Sequence, residues 1–185
     1  MDKRIEVGRE KYDKVHIELL EKGVELLSKI QLTDASLNKL SEFVGVSKTT
    51  IYEHFNSSFQ QFLSEVLTYS RDKLRTKYFE NFVTDPKKNI VTVFQIWHEE
   101  FKKNKLYMVN SYAGYILLEN TDLLPKPLML NDLTEQLTLL GATDNEKKIF
   151  LDQFFYSSGK EAGASDTELN QKVEDVKSFL DSVSN

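Results

Sequence analysis

The architecture of this chain follows from residues 36–55, S-L-N-K-L-S-E-F-V-G-V-S-K-T-T-I-Y-E-H-F. Leu37, Leu40 and Val44 recur at helical spacing and predict the buried face of one short helix. Gly45 ends that helix, because glycine accepts the positive φ that a sharp turn between two helices requires. The stretch therefore predicts two short helices that meet at a corner.

The second helix of the corner is predicted over Ser47 to His54 and starts at a serine that suits the N-cap position. Val46 and Ile51 continue the apolar face across the turn. The other side chains point away from the core, where cations, hydroxyls and a phenol can reach base edges and phosphates in a DNA major groove. These side chains are Lys48, Thr49, Thr50 and Tyr52, with one acid, Glu53. We therefore favour a DNA-binding helix over the alternative, a helical hairpin with a solvated outer face.

The segment V-G-V-S-K-T-T-I-Y-E-H-F, residues 44–55, resembles the DNA-binding signature of TetR-type transcription regulators, and the resemblance extends over about Val15 to Leu63. It implies an all-α fold with a three-helix DNA-binding domain over residues 1–57, which contains a helix-turn-helix. A larger helical domain for ligand binding and dimerisation would follow over residues 58–185. The implied function is a dimeric DNA-binding regulator, a repressor released by a small-molecule ligand.

The resemblance also implies a set of DNA-contacting residues. Ser36 matches a hydroxyl residue that contacts phosphate at the start of the first motif helix. Lys48, Thr49 and Thr50 fall where such regulators contact bases or adjacent phosphates, and Tyr52 and His54 match a pair that anchors the DNA backbone. The whole predicted contact set is Ser36, Ser47, Lys48, Thr49, Thr50, Tyr52 and His54.

Three positions depart from the pattern that these regulators usually show. Gln31 stands where glycine usually ends the first helix, so this turn needs another cap. Ser41 replaces a packed alanine, which is tolerable if its hydroxyl bonds back to its own helix. Ser58 stands where a lysine usually contacts phosphate at the start of the next helix. The last departure lowers the expected affinity for DNA.

The charge of the predicted DNA-binding domain also lowers its expected affinity for DNA. The net charge is −5, and residues 1–58 hold nine Lys and Arg against ten Asp and Glu, so the domain lacks the basic surplus of most DNA-binding modules. Any basic surface must therefore be local. The alternative function is a protein-interaction co-regulator on the same fold, with weak or lost DNA binding.

Helical periodicity dominates the rest of the chain, and three prolines and seven glycines among 185 residues favour long helices. About nine helices are predicted in total. Outside the corner, the first half of the chain is predicted to form a helix over Arg9 to Ile30 and a helix that is capped by Asn56 or Ser57 and runs to Val83. The next predicted helices are Pro86 to about Phe101, Lys105 to about Asn120, and a helix after Pro127 that ends at Gly141. The last two are Asp144 to Ser158 and Asp166 to Val183, separated by a turn at Gly159 to Ser165.

Aromatic residues are concentrated in two consecutive helices between residues 94 and 115. Ordinary core packing explains any one of them. As a group they fit an apolar pocket with hydroxyl groups, as small-ligand sites often have. Trp97, Tyr112 and Tyr115 are the predicted ligand-binding residues, for a small apolar or aromatic ligand.

The last two helices carry apolar stripes that suit a helix bundle between two subunits. The stripe of the last helix is Leu169, Val173, Val176, Leu180 and Val183, and its predecessor offers Ile149, Phe150, Phe154 and Phe155. Packing within one subunit explains part of this pattern. We predict an isologous homodimer on these two helices.

Nothing in the sequence indicates catalysis. His98-Glu99-Glu100 lacks the second histidine of a helical zinc site, so it is interpreted as surface charge. No phosphate-binding glycine loop or nucleophile elbow is present. We predict no enzyme activity, no cofactor and no metal. The absence of cysteine suits a reducing cytoplasm, and no stretch approaches the ~20 apolar residues of a membrane span, so a cytoplasmic location away from membranes is predicted.

Overall fold

The computed structural model describes residues 3–155 and 165–183, and within these ranges the chain forms nine α-helices and no strand. This confirms the predicted all-α class. The helices are α1 (Lys3–Leu27), α2 (Leu37–Val44), α3 (Lys48–His54), α4 (Phe59–Phe79), α5 (Pro86–Lys103), α6 (Lys105–Leu118), α7 (Leu128–Leu139), α8 (Asp144–Phe150) and α9 (Asp166–Val183). A 3₁₀ turn over Leu32–Asp34 follows α1, and a π-helical turn over Leu151–Phe155 continues α8.

Several helix ends lie where local chemistry predicts them. Asp85 caps α5 by accepting from the N–H groups of Lys87 and Lys88, and Pro86 occupies the first turn. Gly141, with φ of 88°, follows α7. The predicted extension of α8 to Ser158 and the turn at residues 159–165 lie almost wholly outside the described residues.

The start of α4 differs from the prediction. Ser58, and neither Asn56 nor Ser57, caps this helix, because its Oγ accepts from the N–H of Gln61 at 3.2 Å. Asn56 and Ser57 have φ of 49° and 56°, a left-handed conformation that turns the chain between α3 and α4. The helix also ends at Phe79, four residues before the predicted end at Val83.

The described chain forms two compact units. Unit 1 consists of residues 1–70 with 110–125, and unit 2 consists of residues 71–109 with 126–185. Helices α4 and α6 each contribute to both units. The predicted boundary at residue 57 separates a DNA-binding domain from a domain for ligand binding and dimerisation. It stays a prediction.

Unit 1 places α2 against both α1 and α3. Its core is formed by aliphatic and phenylalanine side chains from these helices and from the first half of α4. The largest fully buried members are Leu19, Leu27, Leu40, Ile51, Phe55, Phe62, Leu63 and Leu67, together with Leu118 of α6. Three of them, Leu40, Ile51 and Phe55, come from the segment around the predicted corner, so the corner is part of the core and not an appendage.

Unit 2 packs α5 against α7 and α9. Apolar side chains of α5 are buried at Ile90, Val93, Phe94 and Phe101, while Trp97 is half-buried. The α9 stripe packs into the same core, which also contains Phe150 and Phe154 of the preceding segment. The buried members of the α9 stripe are Val173, Val176 and Leu180. These side chains therefore stabilise their own unit, and the homodimer on these helices stays a prediction.

None of the helices in the described ranges combines the length and the apolar character that a membrane crossing requires.

Candidate nucleic-acid interface

The corner between α2 and α3 is held by local hydrogen bonds. Ser36 caps α2, since its Oγ accepts from the N–H of Lys39 at 3.2 Å. Gly45 ends α2 with φ of 76°, and its N–H donates to the carbonyl of Ser41 at 2.9 Å. The left-handed conformation at Gly45 turns the chain sharply between the two helices.

Ser41 contributes to the corner in an unexpected way. Its hydroxyl was expected to bond back to its own helix. Instead, Ser41 is buried and its Oγ donates to the carbonyl of Val46, five residues further on, at 2.7 Å. This hydrogen bond satisfies a carbonyl within the turn, so the serine fixes the path from α2 into α3.

Ser47 caps α3, because its Oγ accepts from the N–H of Thr50 at 3.1 Å and also lies 2.9 Å from the Thr50 hydroxyl. Thr50 is half-buried as a result. Lys48 and Thr49 begin α3 and are both exposed. In the described part of the chain, Lys48 forms no ion pair with a carboxylate.

The phenol of Tyr52 connects α3 to α2. Tyr52 is 37% exposed, and its hydroxyl donates to Oδ1 of Asn38 at 3.1 Å. Asn38 is exposed as well. Sequence reasoning missed Asn38, although a polar residue in the first turn of the short helix before the corner was an available signal. Lys48, Thr49, Tyr52 and Asn38 are exposed side by side on the corner, and we call these four residues the α3 surface. The same two helices also expose Lys39, Glu42, Ser47 and Glu53.

His54 lies on the other side of α3. It is only 8% exposed, so this member of the predicted contact set does not face outward. Its ring stacks on Tyr12 with 4.2 Å between centroids, and its Nδ1 lies 3.1 Å from Nδ1 of His16. The spacing of Ile51, His54 and Phe55 (i, i+3 and i+4) places all three on the buried face, which is the signal that the sequence contained.

The histidine pair continues into α4. Nε2 of His16 lies 2.7 Å from Oε2 of Glu65, so Glu65, His16 and His54 form a chain of contacts across α4, α1 and α3. Burial lowers the pKa of His54 below its ordinary 6.5, and the neighbouring His16 lowers it further, while Glu53 and Glu65 oppose the shift. His54 therefore holds the end of α3 against α1, and His16 connects this contact to α4.

Asn110 supplies the cap that Gln31 does not provide. Its side-chain Nδ2 donates to the carbonyls of Leu27 and Ile30 at 2.7 and 2.8 Å, and its Oδ1 accepts from the N–H of Leu32 at 2.9 Å. Asn110 is almost fully buried. This residue of α6 therefore fixes the turn that leads from α1 toward α2.

The three predicted ligand residues are divided between the two units. Tyr112 and Tyr115 belong to unit 1, where Tyr112 is 51% exposed and Tyr115 is half-buried. Trp97 belongs to unit 2, where Lys172 lies 5.8 Å from its ring centroid. One groove of unit 2, of about 690 Å³ between α5 and α9, is lined by none of the three.

His98 is not the surface charge that the sequence indicated. It is 3% exposed, and its ring packs beside Phe94 and Trp97. Burial, together with the nearby charges of Lys172 and Lys102, lowers its pKa to about 4. Across residues 3–155 and 165–183, no group of three or more His, Asp or Glu side chains has the arrangement of a metal site.

The sequence matches no known family model and no curated protein. The fold, in contrast, matches a solved structure, the crystal structure of a TetR transcriptional regulator from Rhodococcus sp. RHA1. The two chains share a TM-score of 0.63 at 14% sequence identity, over 95% of this chain and 97% of that chain. The chain therefore has a TetR-type fold, which confirms what the resemblance of residues 44–55 implied about its architecture.

Proposed function

We propose that this chain is a cytoplasmic DNA-binding transcription regulator, a repressor that a small-molecule ligand releases from its operator. The observation that carries the proposal is the α3 surface, where an exposed cation, a hydroxyl, a phenol and an amide stand together on one corner of unit 1. Groups of these kinds form most contacts to DNA phosphates and base edges. The TetR-type fold is consistent with this role.

Each side chain of the α3 surface would have a separate role. Lys48 would neutralise a phosphate, and Thr49 would hydrogen-bond to a base edge or a neighbouring phosphate. The Tyr52 phenol and the Asn38 amide, held together at 3.1 Å, would contact the DNA as one unit. Thr50 is half-buried against its cap, so its hydroxyl would assist from the edge of this surface.

The remaining predicted contacts act differently in this proposal. His54 is buried against His16 and Tyr12, so it would position the end of α3 without touching DNA. The hydroxyls of Ser36 and Ser47 are engaged as caps, and both would align the start of a helix with the DNA backbone. Two copies of the chain would present two α3 surfaces about one DNA turn apart, or a small multiple of it.

Ligand control would follow from differential affinity. A ligand that binds one arrangement of the dimer more tightly shifts the population toward it, and the size of the response equals that difference in affinity. Trp97 in unit 2 and, separately, Tyr115 in unit 1 are half-buried and each suits contact with a ligand within its own unit, whereas the half-exposed Tyr112 does not suit an enclosed pocket.

Fluorescence anisotropy with DNA from upstream of the gene, repeated over a range of salt concentrations, tests the DNA step. Lys48→Ala should weaken binding about 3- to 10-fold and lower the slope of log K against log salt by about 1, because one phosphate contact is lost. Lys148→Ala is the matched control, since Lys148 is exposed on α8 in unit 2. Equal binding by the wild type and a Lys48→Ala/Tyr52→Phe variant would contradict the proposed interface.

A co-regulator that acts through protein contacts is the second candidate. Two observations favour it: Ser58 caps α4 in place of the cation that would contact phosphate, and residues 1–58 lack a basic surplus. This candidate predicts no DNA binding by the wild type at any salt concentration, even at low ionic strength where non-specific binding is strongest.

A further inference from the structure

Helix α3 has only seven residues, and its two ends are held in different ways. At its start, the Ser47 hydroxyl accepts from the N–H of Thr50. At its end, the buried His54 contacts α1, and the buried Phe55 follows directly. Tyr52 of the α3 surface lies only two residues before His54. The contacts of His54 therefore help to set the position of the part of α3 that carries the phenol.

His54 and His16 face each other through the same ring atom. Their Nδ1 atoms are 3.1 Å apart, much closer than the ring centroids at 5.3 Å. This separation is that of a hydrogen bond, in which one nitrogen donates a proton and the other accepts it. On the other side of the ring, Nε2 of His16 lies 2.7 Å from Oε2 of Glu65. The contact between α1 and α3 therefore depends on how many protons the two rings carry.

The hydrogen bond between the two rings is compatible with one added proton and not with two. In the neutral pair, Nε2 of His16 donates to Glu65, so its Nδ1 accepts from Nδ1 of His54. One added proton makes His16 a cation that donates to both Glu65 and Nδ1 of His54, while His54 keeps its own proton on Nε2. A second added proton places an N–H on both facing nitrogens, so neither can accept. Two cations then stand in contact, and this contact between α1 and α3 is lost.

The charged and titratable groups around the histidine pair come from three helices. They include Tyr12 and the exposed Asp13 of α1, Glu53 of α3 and Glu65 of α4. Burial and the neighbouring His16 hold the pKa of His54 below its ordinary 6.5, although Glu53 and Glu65 both oppose the shift. Glu65 also favours a charge on His16, which it contacts directly. We therefore expect the first added proton on His16 and the second on His54.

We propose that the histidine pair makes the position of α3 depend on pH: with no more than one added proton it holds the end of α3 against α1, and with two it releases this end. DNA binding would then be strong at neutral pH and weaken in acid, without any small-molecule ligand. Glu65 is a positioning residue, because it sets the tautomer of His16. The inference rests on the proposed function for its DNA readout only.

The expected direction is opposite to that of simple charge attraction. A histidine cation beside a phosphate would strengthen DNA binding in acid and make it more dependent on salt. In the proposed arrangement, the state of α3 that binds DNA excludes the second proton, so the free chain binds more protons than the DNA complex does. The affinity for DNA should therefore fall as the pH drops below about 6.5, the ordinary pKa of histidine.

Fluorescence anisotropy from about pH 8 to pH 5, the range in which histidines titrate, tests the proposal at constant ionic strength. The wild type should lose about 3- to 30-fold in DNA affinity, the upper limit being one proton per chain with an ordinary histidine pKa. His54→Asn should change less than about 2-fold, because an amide in place of Nδ1 can donate or accept and does not titrate.

His98→Phe is the matched control, since it removes the third histidine of the chain, which is buried in unit 2. Its DNA binding should keep the pH dependence of the wild type. A wild-type affinity that stays constant or rises in acid would overturn the proposal. An equal loss of affinity in His54→Asn would also overturn it.

Glu65→Gln tests the role of the carboxylate. Glutamine can still accept from His16 but no longer favours positive charge, so the pH at which binding weakens should fall by about 0.5–1. Glu18→Gln is the control for the loss of a charge: Glu18 is exposed on α1 and lies two residues from His16, on the opposite side of the helix. It should leave the transition in place. Equal shifts in the two variants would contradict the role of Glu65.

Hydrogen exchange of the full chain without DNA separates this inference from the proposed function. Protection of the α3 amides, corrected for the intrinsic exchange rate at each pH, should fall in acid in the wild type and stay constant in His54→Asn. Such a fall in a chain that binds no DNA at any pH supports the histidine pair and refutes the DNA step. Constant protection together with DNA binding that does not depend on pH refutes the histidine pair alone.

Discussion

Unit 1 and unit 2 both bury polar side chains, but they use them in different proportions. In unit 1, Ser41 and Asn110 lie at the turns that set the positions of α2 and α3, while His54 packs against α1. In unit 2, Asp132 of α7 accepts from Arg75 of α4, and Asn89 of α5 bonds both to the turn at Val83 and to Gln136 of α7. Buried polarity therefore mainly orders the turns beside an exposed surface in unit 1 and mainly joins helices in unit 2.

The Asp132 cluster is the densest polar group in the described part of unit 2. Nε and Nη2 of Arg75 donate to its two oxygens at 2.6 and 2.7 Å, and the Tyr78 hydroxyl donates to Oδ2. Burial and this hydrogen bond to Asp132 raise the pKa of Tyr78, so the phenol stays a donor. A second buried contact, Asn89 Nδ2 to Gln136 Oε1 at 2.9 Å, joins α5 to α7.

The largest expected effect comes from removing the carboxylate of this cluster. Asp132→Ala should lower the free energy of unfolding by about 3–5 kcal/mol, because it leaves the Arg75 charge and the buried Tyr78 hydroxyl without their acceptor. Urea denaturation followed by circular dichroism measures the loss. Glu174→Ala is the control, since its pair with Lys177 is exposed and should contribute less than about 1 kcal/mol. Equal losses in the two variants would show that the cluster does not hold the core together.

The sequence predicted features whose partners are close along the chain. Ser47 and Thr50 are three residues apart, and Gly45 follows α2 directly, so spacing and residue type were sufficient to predict the corner. Asn110 is 83 residues from Leu27, and Arg75 is 57 residues from Asp132. No local pattern records such pairs, because only the packing of distant helices brings them together.

The two buried histidines were mispredicted for another reason. His98 follows Phe94 by four residues and precedes Phe101 by three, so helical spacing already places it on the buried stripe of α5. His54 follows the buried Ile51 by three residues and directly precedes the buried Phe55, so its spacing also places it on a buried face. In both cases residue type was given more weight than position, and position was the better guide.

His98 should make the stability of unit 2 depend on pH. Its pKa is about 4 in the folded chain and near 6.5 in an unfolded one, so the unfolded chain binds more protons between these values. The unfolding free energy should therefore fall as pH drops from about 6.5 toward 4, by at most about 3 kcal/mol from this residue. His98→Phe should show a smaller loss than the wild type over this range in urea denaturation at several pH values. Parallel losses in both proteins would contradict this assignment.

In unit 1, substitutions of Asn110 test how much the cap at the end of α1 contributes to stability. Asn110→Ala removes one acceptor and two donors from the turn after α1, and should cost about 2 kcal/mol of unfolding free energy. Asn110→Asp is the informative companion, since a carboxylate can accept from Leu32 but cannot donate to the carbonyls of Leu27 and Ile30. Both variants should therefore be destabilised in thermal and urea denaturation. Wild-type stability of Asn110→Asp at neutral pH would show that the two carbonyls do not need this cap.

The smallest expected change compares two glycines, one from each unit. Gly45 and Gly141 have φ of 76° and 88°, and at both positions an added Cβ would meet no atom within 4 Å. Alanine at either site therefore adds backbone strain without a clash, and each substitution should cost about 1 kcal/mol of unfolding free energy. Their effects on DNA should differ, because Gly45 directs α3 whereas Gly141 follows α7. Gly45→Ala should weaken binding in the anisotropy assay more than 3-fold, while Gly141→Ala, equally strained, should bind as the wild type does. If both variants bind equally well, the orientation of α3 does not depend on the turn at Gly45, and the corner loses its role in recognition.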